Sequence, residues 1–150
     1  DRPATIDRET WSLVVDGAVE DSLEFDYDDI GGDERRALLD CTSGWYSEHD
    51  WQGIAVESLL AAAGPAPDGA WVSFRSVTGY RWSLPLAEAR DALLATHVDG
   101  EELSHGHGFP LRLVAPSRRG FQWVKWVEEV RVTRRRDHSE RLAIFVSGFR

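Results

Sequence analysis

The sequence contains no methionine, not even at position 1, and only one cysteine and one lysine. The missing initiator marks the chain as an expected processed or excised part of a longer protein. A single cysteine, Cys41, excludes an internal disulfide and a zinc site built from several cysteines. No apolar run approaches the roughly 20 residues that cross a bilayer. No positive stretch followed by an apolar one opens the chain, so neither a membrane segment nor a signal peptide is expected within it. Of the 17 basic residues all but Lys125 are arginine, and 26 acidic residues bring the formal net charge to −9. A surface of that sign repels polyphosphate, so nucleic-acid binding is not expected. There is also no repeat, no low-complexity tract and no linker that would divide the chain.

What is present fits one globular domain over residues 1–150, with 42% hydrophobic and 29% charged residues and enough length to bury a core. Alternation predicts a strand at Trp11–Gly17, a weaker one at Ala18–Phe25, and one at Arg36–Cys41. Tyr27–Gly32 reads as a loop with at most one helical turn. Trp51–Ile54 leads into Val56, Leu59, Leu60 and Ala63, whose spacing marks an amphipathic helix that Gly64-Pro65 stops. Val72 and Phe74, then Tyr80, Trp82 and Leu84, predict a hairpin across Thr78-Gly79. Pro85 opens a short helix with Leu86, Ala89 and Leu93 on one face. Leu94–Val98 is a strand ending at the turn Asp99-Gly100, and Pro110–Ala115 is another. Val124–Val132 reads as a strand or a short helix feeding one, and Ala143–Phe149 as a docked terminal strand. Many short strands with two short helices make an α+β or mostly-β domain.

The chemistry concentrates between Ser104 and Val132. His105 and His107 share a His-Gly-His-Gly turn. Taken alone, such a pair is one exposed histidine and one bound to backbone, or part of a metal site with His49 and His97. Arg112 interrupts the apolar run Leu111–Ala115. A cation there needs an internal acid or a cavity holding an anion, and the guanidinium fork suits a phosphate. Lys125, flanked by Val124 and Trp126, has the same two readings. Between them the Gly-containing turn Pro116–Gln122 can aim backbone N–H groups at an anion. Trp51, Trp71 and Trp82 read as core or rim packing, while one of Trp123 and Trp126 can wall a site. Arg134–Arg136 is a solvated run or a dock for an acidic partner. Cys41 ends an apolar strand and enters the small-residue loop Thr42-Ser43-Gly44. There a thiol is a buried hydrophobe, a nucleophile paired with His49, or a ligand for a soft metal.

From Trp11 to Val132 these words, in this order and spacing, resemble the molybdopterin-binding domain of the sulfite oxidase family, bacterial and archaeal branch. The matching residues are Trp11–Gly17, Cys41 with Trp51-x-Gly53 and Leu59-Leu60-x-x-Ala63-Gly64, and Gly79-Tyr80 before Ser83-Leu84-Pro85. They continue with His107-Gly108-x-Pro110-Leu111-Arg112-Leu113-Val114-x-Pro116 and Gly120-x-x-x-Val124-Lys125-Trp126-Val127. The resemblance implies an α+β fold of strand-rich mixed sheets with short helices. It implies a molybdenum–molybdopterin cofactor with Cys41 as the catalytic thiolate on the metal. It gives the pterin and its phosphate to His107, Arg112 and Lys125, helped by backbone around Gly120, Phe121 and Gln122. It further implies oxygen-atom transfer to or from a small sulfite- or sulfoxide-type substrate, and an electron carrier such as a haem protein or membrane cytochrome. An extracytoplasmic or membrane-associated setting, through segments outside this chain, is implied as well. Two features depart from sulfite-oxidising members: Thr42–Tyr46 stands where they carry an arginine, and Thr133–Phe149 holds no tyrosine. Both point away from sulfite itself. The contrasting expectation is a non-catalytic domain of the same fold, a scaffold or interaction domain whose cations are satisfied by internal acids.

Overall fold

The structure, a computed structural model, describes residues 3–40, 46–115 and 124–136, with 35–40 and 46–48 described by their backbone alone. Among these residues ten strands form two five-stranded sheets. In the first, the order is β2 (Leu23–Asp26), β1 (Ser12–Gly17), β10 (Val127–Thr133), β5 (Trp71–Ser76) and β6 (Arg81–Pro85). The β1–β10 pairing is parallel, with Val15 opposite Val130, and the other pairings are antiparallel, so the sheet is mixed. In the second, β3 (Asp33–Asp40), β4 (Tyr46–Ala55), β7 (Leu93–Val98) and β8 (Glu101–Glu102) lie in order, and β9 (Arg112–Val114) also pairs with β7.

Alternation shapes the first sheet. Leu13 and Val15 of β1, Val72 and Phe74 of β5, and Val130 and Val132 of β10 point to one side and are buried. The helix α1 (Val56–Ala63) turns Val56, Leu59, Leu60 and Ala63 to the same interior, and Gly64 N–H closes it on Leu60 O at 2.9 Å. These side chains join Leu93, Leu94, Leu111 and Leu113 in one core, where each Leu or Val contributes roughly 1.5–3 kcal/mol by burial.

Three expectations need correction. Tyr46–Ala55 is one long strand, whereas the sequence offered only a lead-in at Trp51–Ile54. Its polar stretch Ser47–Asp50 hides the alternation, and pairing with both β3 and β7 supplies the order instead. The helix after Pro85, α2, ends at Ala89, and Leu93 is the first residue of β7. Its apolar spacing suited both, and pairing with Ala55 and Val114 decides for strand. The second strand spans only Leu23–Asp26. The expected strand at Ala143–Phe149 lies outside the described residues.

One glycine brings the second sheet into register with the site. A Cβ on Gly53 would stand 1.9 Å from Leu94 O, so only glycine lets β4 pass β7 where their register shifts. Ala95, opposite Gly53, is opposite Arg112 on its other side.

Candidate functional site

The site is built around the short 3₁₀ turn His105–His107. Ser104 caps it: His107 N–H donates to Ser104 O at 3.0 Å and lies 3.3 Å from Ser104 Oγ. Ser104 Oγ also lies 2.7 Å from His107 Nδ1. This contact ties the His107 ring to the residue that caps its own turn. His107 is exposed, while His105 binds backbone, its Nε2 lying 2.8 Å from Pro3 O. The pair thus takes the one-exposed, one-bound arrangement. Nδ1 of His105 is buried and has no hydrogen-bond partner.

Three successive carbonyls of this turn accept from three side chains that come from elsewhere. Trp126 Nε1 donates to His105 O at 2.8 Å, Lys125 Nζ to Gly106 O at 2.9 Å, and Arg112 Nη1 to His107 O at 3.2 Å. Gly108 makes this convergence possible. Its φ is +116°, and a Cβ there would lie 3.0 Å from Arg112 Cβ and 3.4 Å from Lys125 Cγ. A guanidinium has five N–H donors and an ammonium three, and each cation gives one of them to a carbonyl of the turn.

Aromatic walls surround the cations. Arg112, only 4% exposed, places its guanidinium carbon 5.3 Å from the centroid of the buried Trp51 ring. Lys125 Nζ lies 5.8 Å from the Trp126 ring, against which His105 packs at 5.6 Å. Cation–π attraction holds such pairs more strongly away from water. Trp126 has φ +56°, the left-handed region, which costs a bulky residue on the order of 1–3 kcal/mol. Neighbouring backbone holds it there. Val77 N–H donates to Trp126 O at 2.8 Å, Val127 N–H to Leu111 O at 2.9 Å, and Leu113 N–H to Val124 O at 2.8 Å. The segment Val124–Val127 therefore bonds to both sheets, and its strained residue turns Lys125 and Trp126 toward the turn.

Behind the turn, Phe109 packs on Tyr27 at 5.5 Å between centroids, and Tyr27 on Trp11 at 6.4 Å. Tyr27 OH donates to Glu102 Oε2 at 2.9 Å, and Arg8 Nη1 donates to the same oxygen at 2.6 Å. Burial, with the Glu102 carboxylate beside it, holds the Tyr27 phenol far above its ordinary pKa.

Of the residues singled out in the sequence, the structure brings together His107, Arg112 and Lys125. Cys41, Gly120, Phe121, Gln122 and Trp123 lie outside the described residues. His49 sits on β4 with Nδ1 2.6 Å from Asp99 Oδ2. No group of three or more His, Cys, Asp or Glu among the described residues could hold a metal. The roles of Trp51, Gly108 and the turn carbonyls escaped the sequence reading. Only the close spacing Trp51-x-Gly53 and His107-Gly108 hinted at them.

A family model described as the oxidoreductase molybdopterin binding domain matches residues 1–141. The chain is 30% identical over 145 residues to the protein-methionine-sulfoxide reductase catalytic subunit MsrP of Gluconobacter oxydans (strain 621H), covering 81% of this chain and 46% of that protein. The chain thus spans about half the length of that relative. It is 29% identical over 140 residues to the uncharacterized oxidoreductase YuiH of Bacillus subtilis (strain 168), covering 89% of this chain and 71% of that protein. Among solved structures, the sulfane dehydrogenase SoxCD from Paracoccus pantotrophus superposes with a TM-score of 0.81 at 25% identity, covering 89% of this chain and 40% of that one. The two-sheet α+β architecture is therefore a sulfite-oxidase-like fold.

Proposed function

The chain belongs to the oxidoreductase molybdopterin-binding domain family, and from that we propose that residues 1–150 are one such domain, holding a mononuclear molybdenum cofactor for oxygen-atom transfer to or from a small sulfite- or sulfoxide-type substrate. The observation that carries the reading is the convergence of Lys125 and Arg112 on adjacent carbonyls of a single turn, beside His107. The described residues fit the anionic end of such a cofactor. Two oriented cations beside an imidazole suit a phosphate, and the absent side chain at Gly108 lets the Arg112 and Lys125 stems close on the turn.

The proposed division of labour follows from these side chains. Arg112 and Lys125 bind the phosphate, and Trp51 and Trp126 limit water around them, which strengthens the charge interactions. Gly120, Phe121 and Gln122 would contribute backbone donors. Cys41 would give its thiolate to the metal, soft ligand to soft metal. When bound, the molybdenum cofactor supplies two-electron redox chemistry coupled to exchange of an oxygen atom with the substrate. Two electrons per turnover call for a carrier, and we assign this to a haem protein or membrane cytochrome, in an extracytoplasmic or membrane-associated setting. No helix among the described residues is long and apolar enough to cross a membrane. Relatives named for sulfoxide reduction and for sulfane dehydrogenation support a sulfur-centred substrate.

Metal and pterin analysis of the full-length protein, made in a host that synthesises the cofactor, tests the proposal. Wild type should carry about one molybdenum per chain, and Cys41→Ser should lose catalytic turnover and most of the metal. Wild type without molybdenum, or Cys41→Ser with wild-type loading and activity, would contradict it.

A further inference from the structure

The opposite end of β10 carries a second concentration of positive charge. Arg131 in the strand and Arg134, Arg135 and Arg136 beyond it are all exposed, on a chain of formal net charge −9. Arg131, Arg134 and Arg135 line an open cleft of about 420 Å³, whose opposite side is the small pair Gly17-Ala18 at the end of β1. Its rim is held in place. Arg134 Nε donates to Asp68 Oδ2 at 2.6 Å, Thr133 Oγ1 donates to Arg135 O, and the Arg136 guanidinium lies 5.5 Å from the Trp71 ring centroid. We propose that this cleft is a docking site for an acidic peptide segment of a partner protein.

The choice of partner follows from how the charge is arranged. A site for a small anion gathers buried cations or converging amides on one point. These guanidinium groups are exposed and spread along a cleft, each able to add only a weak ion pair, so affinity requires several carboxylates in a row. A nucleic acid also offers a row of negative charges. It would extend past the cleft over a net acidic surface, where it is repelled, whereas a short peptide remains within the local field, which screening confines to about 8 Å. From Val127 to Thr133, β10 spans about 20 Å, so a partner docked at the arginine end leaves the turn at His105–His107 uncovered. The proposal does not depend on the cofactor reading.

An octaglutamate peptide titrated into the full-length protein, followed by amide and indole resonances, tests it. The expected result is saturable shifts at Gly17, Ala18, residues 131–136 and the Trp71 indole. They should vanish at about 0.5 M salt, where screening is short. Arg131→Gln/Arg135→Gln should weaken binding by about tenfold, with the rest of the spectrum unchanged, showing an intact fold. No saturable shift, or equal binding by the double variant, would overturn the proposal. So would tighter occupation of the same resonances by inorganic phosphate or by a short oligothymidylate.

Discussion

Strand β10 connects two cationic regions that handle charge in different ways. Before its first residue, Lys125 is half-buried and, with the buried Arg112 of β9, is held on turn carbonyls against indole rings. Past its last residue, Arg134 and Arg136 are exposed and rest on Asp68 and Trp71. The first arrangement is costly to build. It uses a left-handed tryptophan, a left-handed glycine where a Cβ would crowd the Arg112 and Lys125 stems, and a guanidinium withdrawn from water. The second costs little, since exposed pairs are worth at most about 1 kcal/mol. The fold thus holds charge against desolvation at one end of the strand and leaves it solvated at the other, the contrast on which the proposed anion site and the proposed docking cleft rest.

The largest effect should come from filling the space at Gly108. Gly108→Val forces a β-branched side chain into positive φ and against the Arg112 and Lys125 stems. It should cost about 3 kcal/mol in chemical denaturation. A cost below about 1 kcal/mol would mean that the turn adapts and is not preorganised.

A smaller effect, read through pH, tests the support behind the turn. The Tyr27 phenol stays protonated in the fold at pH values where the unfolded chain loses that proton, above about 10. The folded state then binds more protons, so wild-type stability should fall by about 1.4 kcal/mol per pH unit from this group as pH rises beyond 10, with no slope from it below. Tyr27→Phe should lose that alkaline slope, and at neutral pH cost about 1 kcal/mol for the hydrogen bond to Glu102. Denaturation curves near neutrality and above pH 10 check both. An unchanged alkaline slope would remove Tyr27 from the account.

Much of this was legible in the sequence. The strand Ser12–Gly17, the helix Val56–Ala63, the hairpin of β5 and β6, and the turn at Asp99-Gly100 all announce themselves by local period or turn chemistry. Strand β4 did not, because its order comes from partners on both sides. In the site, Arg112 and Lys125 stood out as cations inside apolar runs. Trp51 looked like simple core. It becomes a wall for Arg112 through two registers, β4 on β7 and β7 on β9, that no local pattern reports. Nor could spacing show that backbone carbonyls, which every residue has, would orient the cations.

The smallest effects on stability should be those of Lys125→Gln and Arg134→Gln, each within about 1 kcal/mol of wild type, and so the two can be compared for what they bind. Pterin and molybdenum content of these two variants, purified from a host that makes the cofactor, is the most direct measure of the central claim. Lys125→Gln should retain about a tenth or less of the wild-type content, and Arg134→Gln should match wild type. Equal content in the two variants would contradict the assignment of the turn and its cations to the cofactor.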